Sequence, residues 1–425
     1  MTPFRVTRLF ALFVIASALS LVAARVGAAN APAPFALHDG DRVVFYGDSI
    51  TQDGGYGCFV EEYCRTRFPG LNLRFYNGGV GGDTVRGGGA GGIDERLERD
   101  VIRLKPTVVT IMLGLNDGRY RKLEPATLEA FIQGYRSIVE RIKKELPGVR
   151  IYLIRSSPFD DVARAPNFEP GYMDVLRQMG DAVALIARDE QASVVDFGGV
   201  VADGIRLAVR NNPGRAHHLL PDRVHPSPAG HLIMGAALLR AFGATPLVSR
   251  VVIDAKGVGV ESADNATVAS LKSEGGLVSW TETDGALPLP LNFQEANVEL
   301  AQVAGADLES LDSEELVVAG LPPGRYTVHI DDRTVGPLSD AELARGVNLA
   351  VYDTPMRWQA YQTVWASESG RDAQRLERQL RHNAGGDPGA KATADFLLQK
   401  DEADQATRSK VAKPLERHFS VAPAP

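Results

Sequence analysis

Apolar runs alternate with amphipathic stretches along the first half of the chain. Five runs are rich in β-branched residues and bounded by Gly, Pro or Asp, as is typical of buried parallel strands. They cover 42–47, 71–77, 107–113, 150–157 and 193–197. Helical spacing of apolar positions follows the runs, at 56–68, 93–104, 124–146, 171–190 and 229–242. This order predicts an α/β fold, a doubly wound, flavodoxin-like parallel sheet sandwiched by helices. Ligands of such sheets bind at the carboxyl ends of the strands.

The pattern changes after about residue 245, which is expected of a chain of 425 residues, long enough for two domains. Short alternating runs separated by turn residues predict a smaller β-rich and helical C-terminal module over 250–382. Residues 383–425 are predicted to form a flexible connector, a helix and a frayed tail. The α/β domain itself is assigned to 35–245.

The first 29 residues have the layout of a secretory signal peptide. Arg5 and Arg8 precede an apolar run over 9–24, and small residues follow at 26–28. We therefore expect export to the periplasm or the cell exterior, with an uncleaved anchor as the alternative. No later apolar run is long enough to span a bilayer, so no stable membrane association is expected after the signal is removed.

Composition narrows the class of protein further. Hydrophobic residues make up 44% of the chain and charged residues 23%, as in ordinary globular proteins. The net charge of −7 argues against nucleic acid as a partner. Cys58 and Cys64 lie on one predicted helix, about 9 Å apart along its axis, which is too far for a disulfide. We expect two reduced thiols, no metal site and no cofactor.

Candidate chemistry begins where the first strand ends, in the sequence VVFYGDSITQDGGYG over 43–57. Ser49 either caps the following helix or is held at the rim of a cleft. A serine is a strong nucleophile only when a base removes its proton and donors stabilise the oxyanion that forms. Asp48 is predicted to hydrogen-bond the backbone of the turn.

Groups that meet both needs occur later in the chain. Asp222 and His225 lie three residues apart among prolines, which favours a tight turn in which the carboxylate accepts from Nδ1–H and Nε2 faces a hydroxyl. Gly82 and Asn116 follow the second and third strands. With the N–H of Ser49, they would form a three-donor oxyanion hole.

The chain resembles the SGNH hydrolase family, the GDSL-type lipases and esterases, over roughly residues 40–243. It matches, in family order, GDSI around Ser49, the glycine block ending in Gly82, GLND with Asn116, and DRVH with Asp222 and His225. Ile50 replaces the leucine of the first block without changing the chemistry. The G-x-S-x-G elbow of ordinary α/β-hydrolases is absent from the sequence.

The resemblance implies a role for each matched residue. Ser49 is the nucleophile, His225 its base, and Asp222 orients the base. Ser49, Gly82 and Asn116 supply the oxyanion hole. The fold implied by the family agrees with the strand and helix pattern above.

The substrate is less constrained than the chemistry. The family accepts acetylated sugars, lysophospholipids, thioesters and aryl esters, and we expect small acyl esters, above all acetyl, on a saccharide. The alternatives are a lipase or lysophospholipase, an acyltransferase acting on envelope glycans, and a binding module on a degenerate hydrolase fold. The Gly-, Asp- and Arg-rich rim loops argue against long acyl chains.

Candidate substrate contacts come from an insertion after the fourth strand, over 156–173. Phe159, Asp160 and Tyr172 are proposed contacts there, and Asp48 is a further one beside Ser49. The three tryptophans, Trp280, Trp358 and Trp365, are predicted to pack in the core rather than to stack on sugars.

Overall fold

A parallel sheet organises the first half of the computed structural model, which describes residues 34–384 and 386–424. The predicted signal peptide over 1–29 lies outside the described residues. The strands of this half are β1 Arg42–Gly47, β2 Arg74–Gly79, the short pair β3 Gly87–Gly88 and β4 Gly91–Gly92, β5 Val108–Met112, β6 Arg150–Arg155 and β7 Ser193–Asp196. The main sheet has the order β2-β1-β5-β6-β7, and every neighbouring pair is parallel.

Helices cover both faces of this sheet, which confirms the predicted α/β class. They are α1 Ser49–Asp53, α2 Gly55–Arg67, α3 Ile93–Asp100, α4 Pro125–Glu145, α5 Tyr172–Asp189, α6 Phe197–Asn211 and α7 Pro228–Ala241. Val43, Val44 and Val109 in the central strands are fully buried. Each such side chain contributes about 1.5–3 kcal/mol of hydrophobic stabilisation. Because strand order reverses at β1, the carboxyl ends of β1, β2 and β5 enclose the crevice where doubly wound sheets bind ligands.

The second half forms two further sheets. Its strands are β8 Leu247–Asp254, β9 Gly259–Asp264, β10 Ala266–Glu274, β11 Leu277–Asp284, β12 Ser313–Ala319, β13 Arg325–Ile330, β14 Arg333–Ser339, β15 Val347–Asn348 and β16 Arg417–Pro423. One sheet has the order β10-β11-β16-β13-β14 and the other β15-β12-β8-β9. The buried Trp280 stacks on Phe419 between β11 and β16, with ring centroids 5.3 Å apart. This half therefore has a hydrophobic core of its own.

Within residues 383–425 the predicted helix is present over Pro388–Ala412, but the tail differs from its prediction. The prediction of a frayed tail is wrong, because β16 is the central strand of its sheet, hydrogen-bonded to β11 and β13. Phe419 and Val421 alternate with more exposed neighbours, which is the period of a strand. Its partners lie far earlier in the chain, so nothing local to the segment indicates the pairing.

The remaining helices of the second half are α8 Ala296–Val303, α9 Asp340–Arg345, α10 Pro355–Asn383 and α11 Pro388–Ala412. The helices α10 and α11 form a hairpin that reaches the first half of the chain. Glu402 on α11 contacts Arg42 at 3.0 Å, and Glu377 on α10 contacts Arg103 at 2.8 Å. Among the residues described, no helix combines the length and apolar character needed to cross a membrane. The hairpin thus packs against the first half, and Arg378 of α10 bonds Asn77 in the carboxyl-terminal half of β2.

Candidate active site

Ser49 lies at the sharp turn between β1 and α1. A Cβ on Gly47 would come within 2.7 Å of the Met112 carbonyl oxygen, so only glycine fits where β1 turns. Asp48 caps α1, accepting from the backbone N–H of Ile50 at 3.0 Å. The N–H of Ser49 is at the first helical position, where a helix offers its N–H groups no internal acceptor. The turn therefore holds both the hydroxyl and the N–H of one residue at the sheet edge.

Asp48 itself is fully buried beneath this turn. Burial raises the pKa of Asp48 to about 7, against the lowering effect of the Ile50 N–H. The expected backbone hydrogen bond is present. A side chain with no exposed surface does not contact substrate, so Asp48 is a positioning residue rather than the substrate contact proposed from the sequence.

His225 and Asp222 approach Ser49 from the segment before α7. The Oγ of Ser49 lies 2.9 Å from Nε2 of His225, and Nδ1 of His225 lies 2.6 Å from Oδ2 of Asp222. The second carboxylate oxygen, Oδ1, accepts from the backbone N–H groups of Val224 at 2.9 Å and His225 at 2.7 Å. An ionised carboxylate on Nδ1 keeps the proton there, so Nε2 is free to accept the proton of the serine.

Asp222 is suited to hold a positively charged imidazole. Its partial burial acts to raise the pKa of this carboxyl group. Hydrogen bonds from the His225 imidazole and from the N–H groups of His225 and Val224 outweigh that effect, and the net result is a lowered pKa. Asp222 is therefore ionised at neutral pH, as the orienting member of such a chain must be.

The predicted oxyanion donors lie in the loops after the two strands that flank β1. Gly82 follows β2 with φ of +75°, and Asn116 follows β5. The Asn116 side chain donates one N–H to the Asp83 carbonyl oxygen at 3.0 Å, which leaves its second N–H for another acceptor. A Cβ on Gly81 would lie 3.9 Å from the Cβ of Ser49, so the glycine block packs against the serine.

Two acids, the buried Asp83 and the half-buried Asp117, hold this glycine block in place. Asp83 accepts from Nε of Arg96 at 2.7 Å, and Arg96 also bonds the Gly78 carbonyl oxygen at 3.0 Å. From the other side, Asp117 accepts from the Val85 N–H at 3.0 Å. Burial raises the pKa of Asp117 to about 6. These contacts were not predicted from the sequence, although both acids stand next to predicted donors.

A cavity of about 560 Å³ opens beside Ser49 and His225. One wall comes from the turn and the glycine block, through Gln52, Asp53 and Val80. The opposite wall is Arg99 and the last turns of α10, namely Arg375, Arg378, Gln379 and His382. The α10 residues follow Ser49 by more than 300 positions, and no local signal in the sequence assigns them to the site.

The insertion over 156–173 does not line this cavity. Phe159, Asp160 and Tyr172 are buried. The Tyr172 hydroxyl donates to the Leu115 carbonyl oxygen at 2.6 Å, and Asp160 pairs with Arg164 at 2.9 Å. None of the three lines the cavity beside Ser49, so the described contacts give no support to the prediction that they touch substrate there.

The insertion instead supports the segment that carries Asp222 and His225. Arg164 donates to the carbonyl oxygens of Leu220 at 2.9 Å and Pro221 at 2.7 Å. In the opposite direction, Arg223 donates a hydrogen bond of 2.9 Å to the Ala165 carbonyl oxygen of the insertion. The insertion thus positions catalytic candidates rather than substrate.

Some of the other predictions from the sequence are confirmed and others are wrong. Cys58 and Cys64 are free thiols, and burial raises the pKa of Cys58 to about 12. Trp280 is buried, as predicted. The same prediction is wrong for Trp358 and Trp365, which are 40% and 53% exposed on α10. Within the described part of the chain, no group of three or more His, Cys, Asp or Glu is arranged to hold a metal ion.

Comparison with known proteins agrees with this geometry. The family model described as GDSL-like Lipase/Acylhydrolase matches residues 45–233, which include all five residues predicted to form the triad and the oxyanion hole. An acetylxylan esterase of Geobacillus stearothermophilus is 30% identical over 231 residues, covering 49% of this chain and 96% of that protein.

Solved structures extend the likeness to the second half. A gut microbial diltiazem-metabolizing enzyme has the same fold, with a TM-score of 0.80, 24% identity, and coverage of 91% of this chain and 98% of that one. The acetylxylan esterase Axe2 of Geobacillus stearothermophilus is 28% identical, with a TM-score of 0.41 over 49% of this chain and 96% of its own. The β-rich half and the α10–α11 hairpin therefore occur together with this parallel sheet in at least one other protein.

Proposed function

Because this chain belongs to the GDSL-like lipase/acylhydrolase family and is a carboxylic ester hydrolase, we propose that it removes small acyl groups, above all acetyl, from saccharide esters. The observation that carries this proposal is the hydrogen-bonded series Ser49, His225 and Asp222 beside a cavity lined in part by charged side chains. The 30% identical relative named as an acetylxylan esterase supports the choice of acyl group and of saccharide.

Acyl transfer to the enzyme is the first half of the reaction. Nε2 of His225 takes the hydroxyl proton as Oγ of Ser49 attacks the ester carbonyl carbon. Asp222 stabilises the imidazolium that forms, since its carboxylate stays ionised. The tetrahedral intermediate collapses, the imidazolium protonates the sugar oxygen, and an acyl-enzyme on Ser49 remains.

Hydrolysis of the acyl-enzyme is the second half. His225 removes a proton from water as the water oxygen attacks the acyl carbon. The second tetrahedral intermediate collapses with cleavage of the bond to Oγ of Ser49, the imidazolium returns its proton to Oγ, and acetic acid leaves and ionises to acetate. In both halves the negative oxygen is assigned to the N–H groups of Ser49 and Gly82 and to the Asn116 side chain. Such donors act on charge that develops only in the transition state, which is why they raise the rate.

The charged side chains that line the cavity favour short acyl groups over long ones. Gln52, Asp53 and the guanidinium groups of Arg375 and Arg378 line it. A fatty acyl chain would have to desolvate these groups without replacing their hydrogen bonds, at a cost in free energy for each. The lining thus favours an acetylesterase over the lipase or lysophospholipase alternative.

We also propose that the enzyme acts outside the cytoplasm, on the basis of the basic residues and apolar run over 1–29. Polymeric or oligomeric saccharides are met there, and this location agrees with the proposed substrate. Detection of the mature protein in periplasmic or culture fractions, with cleavage near residue 29, is the corresponding test.

The enzymatic proposal is tested with the purified mature protein, its Ser49→Ala variant and a Ser137→Ala control. Ser137 is an exposed serine on α4 whose hydroxyl donates to the Gln133 carbonyl oxygen at 3.0 Å. Rates are measured on 4-nitrophenyl acetate, butyrate and octanoate and on acetylated xylan. We expect Ser49→Ala to lower kcat by about four orders of magnitude or more, and the control to match the unaltered protein.

Three results would contradict parts of this proposal. Undiminished activity in Ser49→Ala would overturn the mechanism. A preference for octanoate over acetate would overturn the small acyl group. Transfer of acetyl to a glycan acceptor, without release of acetate, would identify an acyltransferase instead.

A further inference from the structure

We propose that the cavity beside Ser49 selects acetyl esters of saccharides that carry an anionic substituent, a uronate carboxylate or a sulfate, and that Arg375 and Arg378 of α10 bind it. This inference rests on the proposed esterase function and adds the charge of its substrate. The acetyl group is uncharged, so a negative group recognised in this cavity belongs to the saccharide.

The charged groups lining the cavity are unequal in sign. Arg99, Arg375 and Arg378 are cations, whereas Asp53 is the acidic residue among the lining side chains. Asp53 is engaged by His231, whose Nε2 lies 3.0 Å from its carboxylate. A cavity with this balance attracts anionic ligands and repels cationic ones.

The three arginines differ in how far protein acids neutralise them. Arg99 contacts the buried Asp100 at 2.9 Å, so its charge is already paired. Arg375 is 3.5 Å from Asp372, and both side chains are largely exposed. Exposed pairs of this kind contribute little and are easily exchanged for another partner. Arg375 is therefore available to a ligand.

Arg378 is the strongest ligand-binding candidate. Its Nη1 donates to the backbone and side-chain oxygens of Asn77, which are uncharged, with 2.7 Å to Oδ1. Among the described residues, no carboxylate lies within 4.0 Å of its guanidinium nitrogens. Burial lowers the pKa of Arg378 to about 10, so it is still a cation at neutral pH.

A bound anion would compensate the charge that the protein leaves unpaired at Arg378. Guanidinium has five N–H donors in a planar fork, and the bonds to Asn77 use part of them. The fork matches the oxygens of a carboxylate or sulfate. The same helix therefore forms one wall of the cavity and supplies the guanidinium groups that bind the anionic substituent of the sugar.

The test uses substrates matched in everything but charge. One pair is an O-acetylated methyl glucuronoside and its methyl ester, and the other is an O-acetylated methyl glucoside with and without a 6-sulfate. For the unaltered enzyme, we expect kcat/KM about tenfold higher for the charged member of at least one pair, the effect of one hydrogen-bonded charge. Raising salt from about 0.05 to 0.5 M should shrink that ratio, because shorter screening lengths weaken the attraction.

Variants of the two arginines test whether these side chains cause the preference for charged substrates. Arg378→Gln and Arg375→Gln should each lower the charged-to-neutral ratio by about threefold or more. Arg345→Gln removes the same charge from α9, where the side chain is exposed and does not line the cavity, and should leave the ratio unchanged. If Arg378→Gln folds poorly, the exposed Arg375 and the substrate ratio of the unaltered enzyme still decide the question.

Ratios near one for both pairs, together with normal hydrolysis of the neutral esters, would overturn the charge inference and leave the esterase proposal standing. Preference for one pair identifies the anion as carboxylate or sulfate. Failure to hydrolyse any acetyl ester would overturn the esterase proposal. In that case, absence of salt-sensitive binding of methyl glucuronoside and of methyl glucoside 6-sulfate to the Ser49→Ala protein would overturn the charge inference as well.

Discussion

Asp83 accepts a hydrogen bond from Nε of Arg96 at 2.7 Å, and both side chains are completely buried. The pair lies directly below the predicted oxyanion donors, because the carbonyl oxygen of the same Asp83 accepts from the Asn116 side chain. A second acid, Asp100, also contacts Arg96. The position of the glycine block thus depends on one arginine held by two carboxylates.

We predict that Arg96→Gln destabilises the protein by about 3 kcal/mol or more, since it leaves buried carboxylates without their cation. The folded fraction should also have a lower kcat, because Asp83 no longer fixes the Asn116 amide. Denaturant unfolding and kinetics measure the two effects. Arg141→Gln is the control, since its ion pair with Asp94 is exposed and worth about 1 kcal/mol at most. Equal losses in both variants would contradict the role of Arg96.

Removal of one oxyanion donor has a different expected signature. Asn116→Ala should lower kcat by about two to three orders of magnitude while KM changes little, because the donor acts on charge formed in the transition state. Steady-state kinetics on 4-nitrophenyl acetate check this. Asn72→Ala is the matched control, since its exposed side-chain amide donates to Asp39 at the surface, 3.0 Å away. A rise in KM at constant kcat would instead assign Asn116 to ground-state binding.

Asp222→Asn tests the orienting carboxylate. Asparagine can offer its N–H to Nδ1 and so stabilise the tautomer in which Nε2 carries the proton and does not accept from Ser49. We expect kcat to fall by about four orders of magnitude with the fold intact. Circular dichroism reports whether the fold is intact, and kinetics report the loss of activity. The control is Asp203→Asn, which changes an exposed acid on α6. Activity within tenfold of the unaltered enzyme would exclude Asp222 from the triad.

Buried acids in the second half predict a pH dependence of stability. Glu314 on β12 is buried, and neither of its carboxyl oxygens has a hydrogen-bond partner among the residues that the structure describes. Burial, together with Asp284 and Asp312 nearby, raises the pKa of Glu314 well above its usual value of 4.5. The folded state holds this proton more tightly than the unfolded chain, so its contribution to stability is present at low pH and is lost as pH rises.

Glu314→Gln should therefore raise the melting temperature more at pH 8 than at pH 5, relative to the unaltered protein. Thermal unfolding at both values gives the comparison. Glu315→Gln is the neighbouring control, because its carboxylate lies near the surface in an ion pair with Arg250 at 2.6 Å. A change in melting temperature that is the same at both pH values, or that the control shares, would contradict the inference that Glu314 is protonated in the folded state.

Much of the site could be predicted because its parts lie in short local motifs. Ser49 follows a strand with a strong apolar pattern, and Asp222 and His225 are three residues apart in a turn. The parallel order of the strands then brings these motifs to one edge. Substrate contacts had no such local signal. The insertion over 156–173 looked suitable by position alone, yet its polar side chains bond the turn beside it.

The cavity wall formed by α10 depends on long-range contacts, which local sequence patterns do not predict. Arg378 bonds Asn77 across 301 positions of sequence. The amphipathic pattern of α10 predicts a helix, but its partner depends on how two separately formed sheets meet. For the same reason the exposure of Trp358 and Trp365 could not be read from their residue type. Long-range packing decides these features.

The central place of β16 has a consequence for how the protein is made. Its neighbours β11 and β13 leave the ribosome long before β16 does, and until then the row of hydrogen-bonding groups between them has no partner. Ser49, Asp222 and His225 all precede α7 in sequence, although Leu289, Val298 and Leu300 from the later chain complete the core around the parallel sheet. The sheet of β10, β11, β16, β13 and β14 can therefore be completed only when residues 417–423 are available, after every candidate catalytic residue has been synthesised.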